Sequence, residues 1–239
     1  MIAFRYLGGV EMRNGYRFVP LMLLCLVGGC QKESQPFTQV EKKEAAQEVT
    51  TQPKPAVVQA YDGPFGLQEG LSAKQLEAMG ITLHSENDGV YTTGKLLKEH
   101  SKFKEFTLVI SEKEGLCKII AISETIDTDS FGVELRKTFT ALEDQLQDVY
   151  GKHKRFDYLM HGSLWKEPQY WMMGLLKQER SLSAYWGTDK GSTMKNNVDG
   201  INLKTIALTN DKGVILLTYE FDNIALCLKK RKDKEKAAL

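Results

Sequence analysis

Two pairs of apolar runs constrain this chain more than any other feature. Phe106-Thr107-Leu108-Val109-Ile110 and Leu116-Cys117-Lys118-Ile119-Ile120-Ala121-Ile122 are joined by Glu112-Lys113-Glu114-Gly115. Ile201 to Leu208 and Val214 to Phe221 are joined around Asn210-Asp211-Lys212-Gly213. Short runs rich in β-branched and aromatic residues, bounded by polar turns that end in glycine, read as strands. Connections this short join antiparallel neighbours only, because a parallel crossover needs a dozen or more residues. The sheet is therefore expected to be antiparallel. Ile81 to His84 and Val90 to Thr93, flanking Glu86-Asn87-Asp88-Gly89, read as a further hairpin. Arg155 to Met160 and Leu182 to Trp186 read as two more strands.

The helices are fewer. Over 131–150, Phe131, Leu135, Phe139, Leu142, Leu146, Val149 and Tyr150 recur mostly three and four apart, and Gly151 closes the run. Pro168 stands at the start of a short apolar helix over 168–178. Between Gly70 and Gly80, Ser72 and Gln75 have capping-box spacing and Gly80 sits where a C-terminal cap glycine belongs. This last stretch, with Leu71 and Ser72 at its entry, resembles the opening helix of the SmpA/OmlA group of small outer-membrane lipoproteins, over about a dozen residues. There is also an internal echo: Phe65-Gly66 and Phe131-Gly132 each precede a helix, a glycine and hairpins. The expected fold is α+β, as two helix-on-antiparallel-sheet units, 62–130 and 131–228, with a single shared sheet as one arrangement.

The first sixty residues follow different rules. Arg13 and Arg17 precede an apolar run from Phe18 to Val27, short against the roughly 20 residues that span a bilayer. Leu26-Val27-Gly28-Gly29-Cys30 then ends in small residues and a cysteine, and resembles the lipobox of bacterial lipoproteins. The resemblance implies a leader over 1–29, with Met12 a candidate start, and acylation of the Cys30 thiol. Gln31 in the next position implies sorting to the outer membrane, facing the periplasm. A plain secretory leader with a chance cysteine, and a transmembrane anchor interrupted by Pro20, are the alternatives. Over 30–61 the chain is polar, with Glu41-Lys42-Lys43-Glu44 and Gln52-Pro53-Lys54-Pro55, and is expected to be a disordered tether.

Of the four cysteines, Cys25 leaves with a leader and Cys30 is taken by lipid. Cys117 and Cys227 remain, in a compartment that permits disulfides, and are expected to pair. Two separate buried thiols are the alternative. The net charge of +1 gives no field pointing to nucleic acid. At the C-terminus, 229–239 reads as a basic tail: Lys229, Lys230, Arg231, Lys232, Lys234 and Lys236 are candidates for anionic lipid or an envelope polyanion, or simply solvated.

Chemistry-bearing residues are sparse. Trp165, Tyr170, Trp171, Tyr185 and Trp186 are a candidate partner-binding platform, set against a role in the core. His153, Asp157, His161 and Ser163 share a strand face if the strand runs that far, but no nucleophile elbow surrounds Ser163 and no metal-binding spacing is present. No catalytic residue, metal or cofactor is assigned. The expected role is a lipid-anchored binding or scaffold protein of the outer membrane, contacting another envelope protein, with peptidoglycan or anionic lipid as further partners. An inhibitor of a periplasmic enzyme that projects the 187–199 loop is the alternative, and an envelope hydrolase around His153 to Ser163 a third reading.

Overall fold

The computed structural model describes residues 60–237. The expected leader, the lipobox-like Leu26–Cys30 and the expected tether as far as residue 59 lie outside the described residues.

The first described half contains α1 (Ala73–Ala78), then β1 (His84–Asn87), β2 (Val90–Thr93), β3 (Phe103–Ser111) and β4 (Gly115–Ser123). The capping box at α1 forms as its spacing requires. The Gln75 N–H donates to Ser72 Oγ at 3.3 Å, and the Ser72 N–H donates to Gln75 Oε1 at 2.9 Å. After the short β5 (Ile126–Asp127), the second half runs α2 (Val133–Tyr150), β6 (Lys154–Leu159), α3 (Trp171–Leu176), β7 (Arg180–Gly187), β8 (Val198–Ala207) and β9 (Lys212–Phe221). A last helix, α4 (Ile224–Ala237), follows.

All the strands belong to one antiparallel sheet in the order β1-β2-β3-β4-β9-β8-β7-β6, with β5 pairing the start of β9. The fold is α+β. The first half supplies α1 and four strands, the second α2, α3 and four strands, and the last strands of the two halves meet at the centre, with Ile120 opposite Thr218. The echo in sequence lies on this arrangement: the 112–114 and 208–211 turns are the β3–β4 and β8–β9 connections.

One face of the sheet carries the core. Leu108, Ile119, Leu217, Leu203, Ala184 and Trp186 alternate inward along their strands. They pack with Leu71 and Leu76 of the α1 segment, Leu135, Phe139, Leu142 and Leu146 of α2, and Trp171, Met172 and Leu175 of α3. Gly132 is needed at the start of α2: its φ is +71°, and a Cβ there would lie 2.4 Å from the Trp171 ring.

Two segments differ from their sequence expectation. The basic stretch after Lys229 is helical as far as Ala237. It has no apolar periodicity of its own, and its first turn is fixed from outside. Asn223 donates from Nδ2 to the carbonyls of Glu114 and Leu116, at 2.9 and 3.1 Å. Cys227 is disulfide-bonded to Cys117, with Cα atoms 6.7 Å apart. Cys117 is the extra residue of a bulge, since Val109 faces Lys118 and Ile110 faces Leu116. It packs with Ile224 and Cys227 in a cluster separate from the main core.

The 187–199 loop is the second difference, because it does not project. Gly151 bridges Ser192, the Thr193 N–H donates to the Tyr150 carbonyl at 2.8 Å, and Asn197 Nδ2 donates to Glu69 Oε2 at 2.8 Å.

Candidate functional site

Strand alternation gives the sheet a second face that α1, α2 and α3 do not cover; α4 reaches its β3–β4 end, where Val109 lines a cleft with Cys227, Lys230 and Arg231. Val109, Ile120, Ile122, Leu216 and Ile206 point to this face by register and are partly buried, and Val214 among them is buried. None of them belongs to the core beneath α1, α2 and α3. Antiparallel sheets commonly solvate one face, but with polar side chains. Here the middle of the uncovered face is an apolar stripe that crosses β3, β4, β9 and β8.

Polar groups frame that stripe. Lys118 and Glu220, cross-strand neighbours, pair at 2.6 Å, and Glu105 and Lys204 stand on the same face. Toward β6, Tyr185 is 39% exposed and meets Phe156 edge to face, with centroids 5.5 Å apart. An apolar centre inside a polar rim is the anatomy of protein-docking surfaces.

The five aromatic residues singled out in the sequence do not form one platform. Trp171 and Trp186 are core residues, 4% and 2% exposed. Tyr185, one residue from Trp186, lies on the opposite face as strand alternation demands. Trp165 and Tyr170 pack edge to face at 5.8 Å in the segment before α3. Tyr185 is thus the one member of the set on the uncovered face.

His153, Asp157, His161 and Ser163 are not assembled either. β6 ends at Leu159, so His161 and Ser163 lie beyond the strand. His153 stacks on Trp186 at 4.6 Å and bonds through Nε2 to Glu143 Oε1 at 2.9 Å. Asp157 pairs with Arg180 at 3.6 Å, and Ser163 Oγ accepts from the Trp165 N–H at 3.1 Å. Among the described residues no hydrogen bond joins any two of the four.

The buried carboxylate that sequence reading missed is Glu143, which receives His153 and Arg155 together. Helical spacing places Glu143 on the outer face of the helix with Glu134, Lys137, Asp144 and Asp148, whereas the structure buries it, because His153 and Arg155 around the start of the following strand draw its carboxylate inward. Burial lifts the hydroxyls of Tyr150 and Tyr219 above the usual phenol range, Tyr219 the further because Tyr150 stands beside it.

One cleft of about 560 Å³ opens where the start of α1, the Asp88-Gly89 turn, the end of β3 and α4 converge. Its wall is mixed: Tyr91, Val109 and Ile110 with Lys74, Lys113 and Glu112. Among the described residues no group of His, Cys, Asp and Glu is arranged to hold a metal ion. No described helix is long and apolar enough to cross a membrane. Compared with protein families, with curated proteins and with solved structures, the chain matches none.

Proposed function

We propose that this chain is a lipid-anchored binding or scaffold protein of the bacterial outer membrane, facing the periplasm, with the uncovered sheet face as its docking surface for another envelope protein. The observation that carries the docking role is the apolar stripe of Ile120, Ile122, Leu216 and Ile206, framed by charges and outside the core that α1, α2 and α3 pack. The anchor rests on Cys30 in its lipobox-like setting. The Cys117–Cys227 disulfide supports an oxidising compartment. Acyl chains contribute about 0.8 kcal/mol per buried CH₂, and two suffice for stable anchoring. The protein would then reach its partner by diffusing in the membrane plane. No reacting group is assigned: the polar residues nearest to a catalytic set are engaged elsewhere, as described above.

Fractionation and pull-down together test the reading. Wild type is expected in the outer-membrane fraction, and Cys30→Ala in the soluble periplasm or retained with an uncleaved leader. Ile120→Lys with Ile206→Lys is expected to stay membrane-bound and folded while losing its partner. Membrane behaviour unchanged by Cys30→Ala would refute the anchor. Partner recovery unchanged by the double lysine variant would refute the surface.

A further inference from the structure

The sheet has two outer strands, β1 and β6, and they are built differently. β1 is four residues of exposed polar side chain, His84-Ser85-Glu86-Asn87, with a register break between Ser85 and Asn87. Short, polar, irregular edges are how sheets avoid pairing with other chains. β6 is longer, pairs with β7 without a break, and carries Phe156 and the 57% exposed Tyr158.

The direction of its backbone groups follows from one bond. The Met160 N–H donates to the Glu179 carbonyl at 2.7 Å, which continues the β6–β7 register by one step. In an antiparallel ladder, hydrogen-bonded pairs alternate. The even-numbered residues of β6 therefore direct N–H and C=O at β7, and Arg155, Asp157 and Leu159 direct theirs outward.

Two symmetric registers pair five residues of β6 with five of a second copy, those centred on Phe156 and on Asp157, and every other centre pairs three or fewer. A two-fold axis normal to the sheet pairs residues that share a face, so it must pass through a residue of the strand. Centred on Arg155 or on Asp157, it sets like charges directly opposite, which destabilises. Centred on Phe156, it sets Phe156 against itself, Arg155 against Asp157 twice, and Lys154 against Tyr158 twice. The Arg155–Asp157 pairs are then the ones that exchange both backbone hydrogen bonds, and the aromatic pair lies at a closely spaced position. The charges also alternate across the seam. Glu143 already holds Arg155, and Arg180 already holds Asp157, so each new contact adds to a chain of opposite signs.

We propose that β6 is the seam of a symmetric dimer, in which two copies pair antiparallel about Phe156 and join their sheets. The charged residues that block other edge contacts select this one. The joined sheets carry the two uncovered faces side by side. The proposal does not depend on the anchor or on the partner.

Site-directed crosslinking of the full chain in isolated membranes tests it. Phe156→Cys, treated with copper phenanthroline, is expected to give a covalent dimer on a non-reducing gel. Lys154→Cys and Tyr158→Cys are each expected to give none alone, since each lies about 13 Å from its own copy across the axis at roughly 3.4 Å per residue. Co-expressed, they are expected to crosslink to each other. In the Phe156→Cys background, Asp157→Asn, which removes the charge that faces Arg155 of the second copy without reversing the one beside Arg180, should cut the dimer at least threefold. Asp157→Pro removes an outward N–H that the monomer does not use, and should abolish the dimer while the melting temperature stays within a few degrees. A folded Phe156→Cys protein that gives no dimer, equal yields at 154, 156 and 158, or a dimer yield unchanged by Asp157→Pro would each overturn the proposal.

Discussion

Removing the Cys117–Cys227 disulfide tests how the last helix is held. The bridge closes a loop with a sequence separation of 110. In the chain-entropy treatment, closing such a loop removes about 16 cal/mol/K from the unfolded chain, or about 4.8 kcal/mol at 25 °C. The enthalpic side is small here. The sulfurs sit in a cluster with Ile224 alone, apart from the main core, so Cys117→Ala with Cys227→Ala leaves the sheet packing intact. Residual structure in the unfolded chain reduces the entropic figure. The expected loss is about 3–5 kcal/mol, a fall of roughly 1–2 M in the urea midpoint for a slope near 2–3 kcal/mol/M. Fluorescence of the buried Trp171 and Trp186 reports the transition, and far-UV dichroism at zero urea checks that strand content persists. A midpoint shift below about 0.5 M, or an unchanged wild-type midpoint in dithiothreitol, would refute the reasoning.

Three further outcomes follow from named contacts. Gly132→Ala combines a positive φ with a collision against Trp171, and is expected to cost about 2–3 kcal/mol by urea unfolding. Glu143→Ala leaves His153 and Arg155 without their shared carboxylate; because Arg155 is 39% exposed, the expected loss is near the lower end of the range for broken buried pairs, about 2–3 kcal/mol. The alkaline limb depends on Tyr219. An unfolded tyrosine ionises near pH 10, whereas the folded one holds its proton to higher pH. Its contribution is therefore complete below pH 10 and is lost as pH rises above it. Melting temperatures between pH 8.5 and 11 should fall less steeply for Tyr219→Phe than for wild type.

Much of the fold was legible because it is local. The β3–β4 and β8–β9 pairs announced themselves by apolar runs around glycine-ended turns, and α2 by apolar residues at helical spacing. The Ser72–Gln75 box is a three-residue signal and formed as written. The disulfide followed from counting cysteines and is seen between Cys117 and Cys227. α4 was not legible, because its lysine-rich stretch has no apolar stripe. Its start is fixed by Asn223 and Cys227, whose partners lie about a hundred residues earlier in the chain.

The candidate surface was the least legible part. β4 reads as an almost continuous apolar run, so nothing in Ile119-Ile120-Ala121-Ile122 says which alternate residues meet helices. That is decided by α1, α2 and α3 all packing on one face. Likewise β6 reads as an ordinary strand, and only the strand order makes it an edge. Tyr185 and Trp186 could be assigned to opposite faces from the sequence, but not to the face that stays bare.

The sheet face opposite α1, α2 and α3 is the proposed place where a partner binds. A photo-activatable residue placed at Ile120 and, separately, at Ile206 in living cells tests it most directly, with Lys137 and Asp144 on the exposed side of α2 as comparison positions. One covalent product, of the same partner, is expected from both sheet positions and none from the two helix positions. A product from α2 with none from the sheet, or the same products from all four positions, would contradict it.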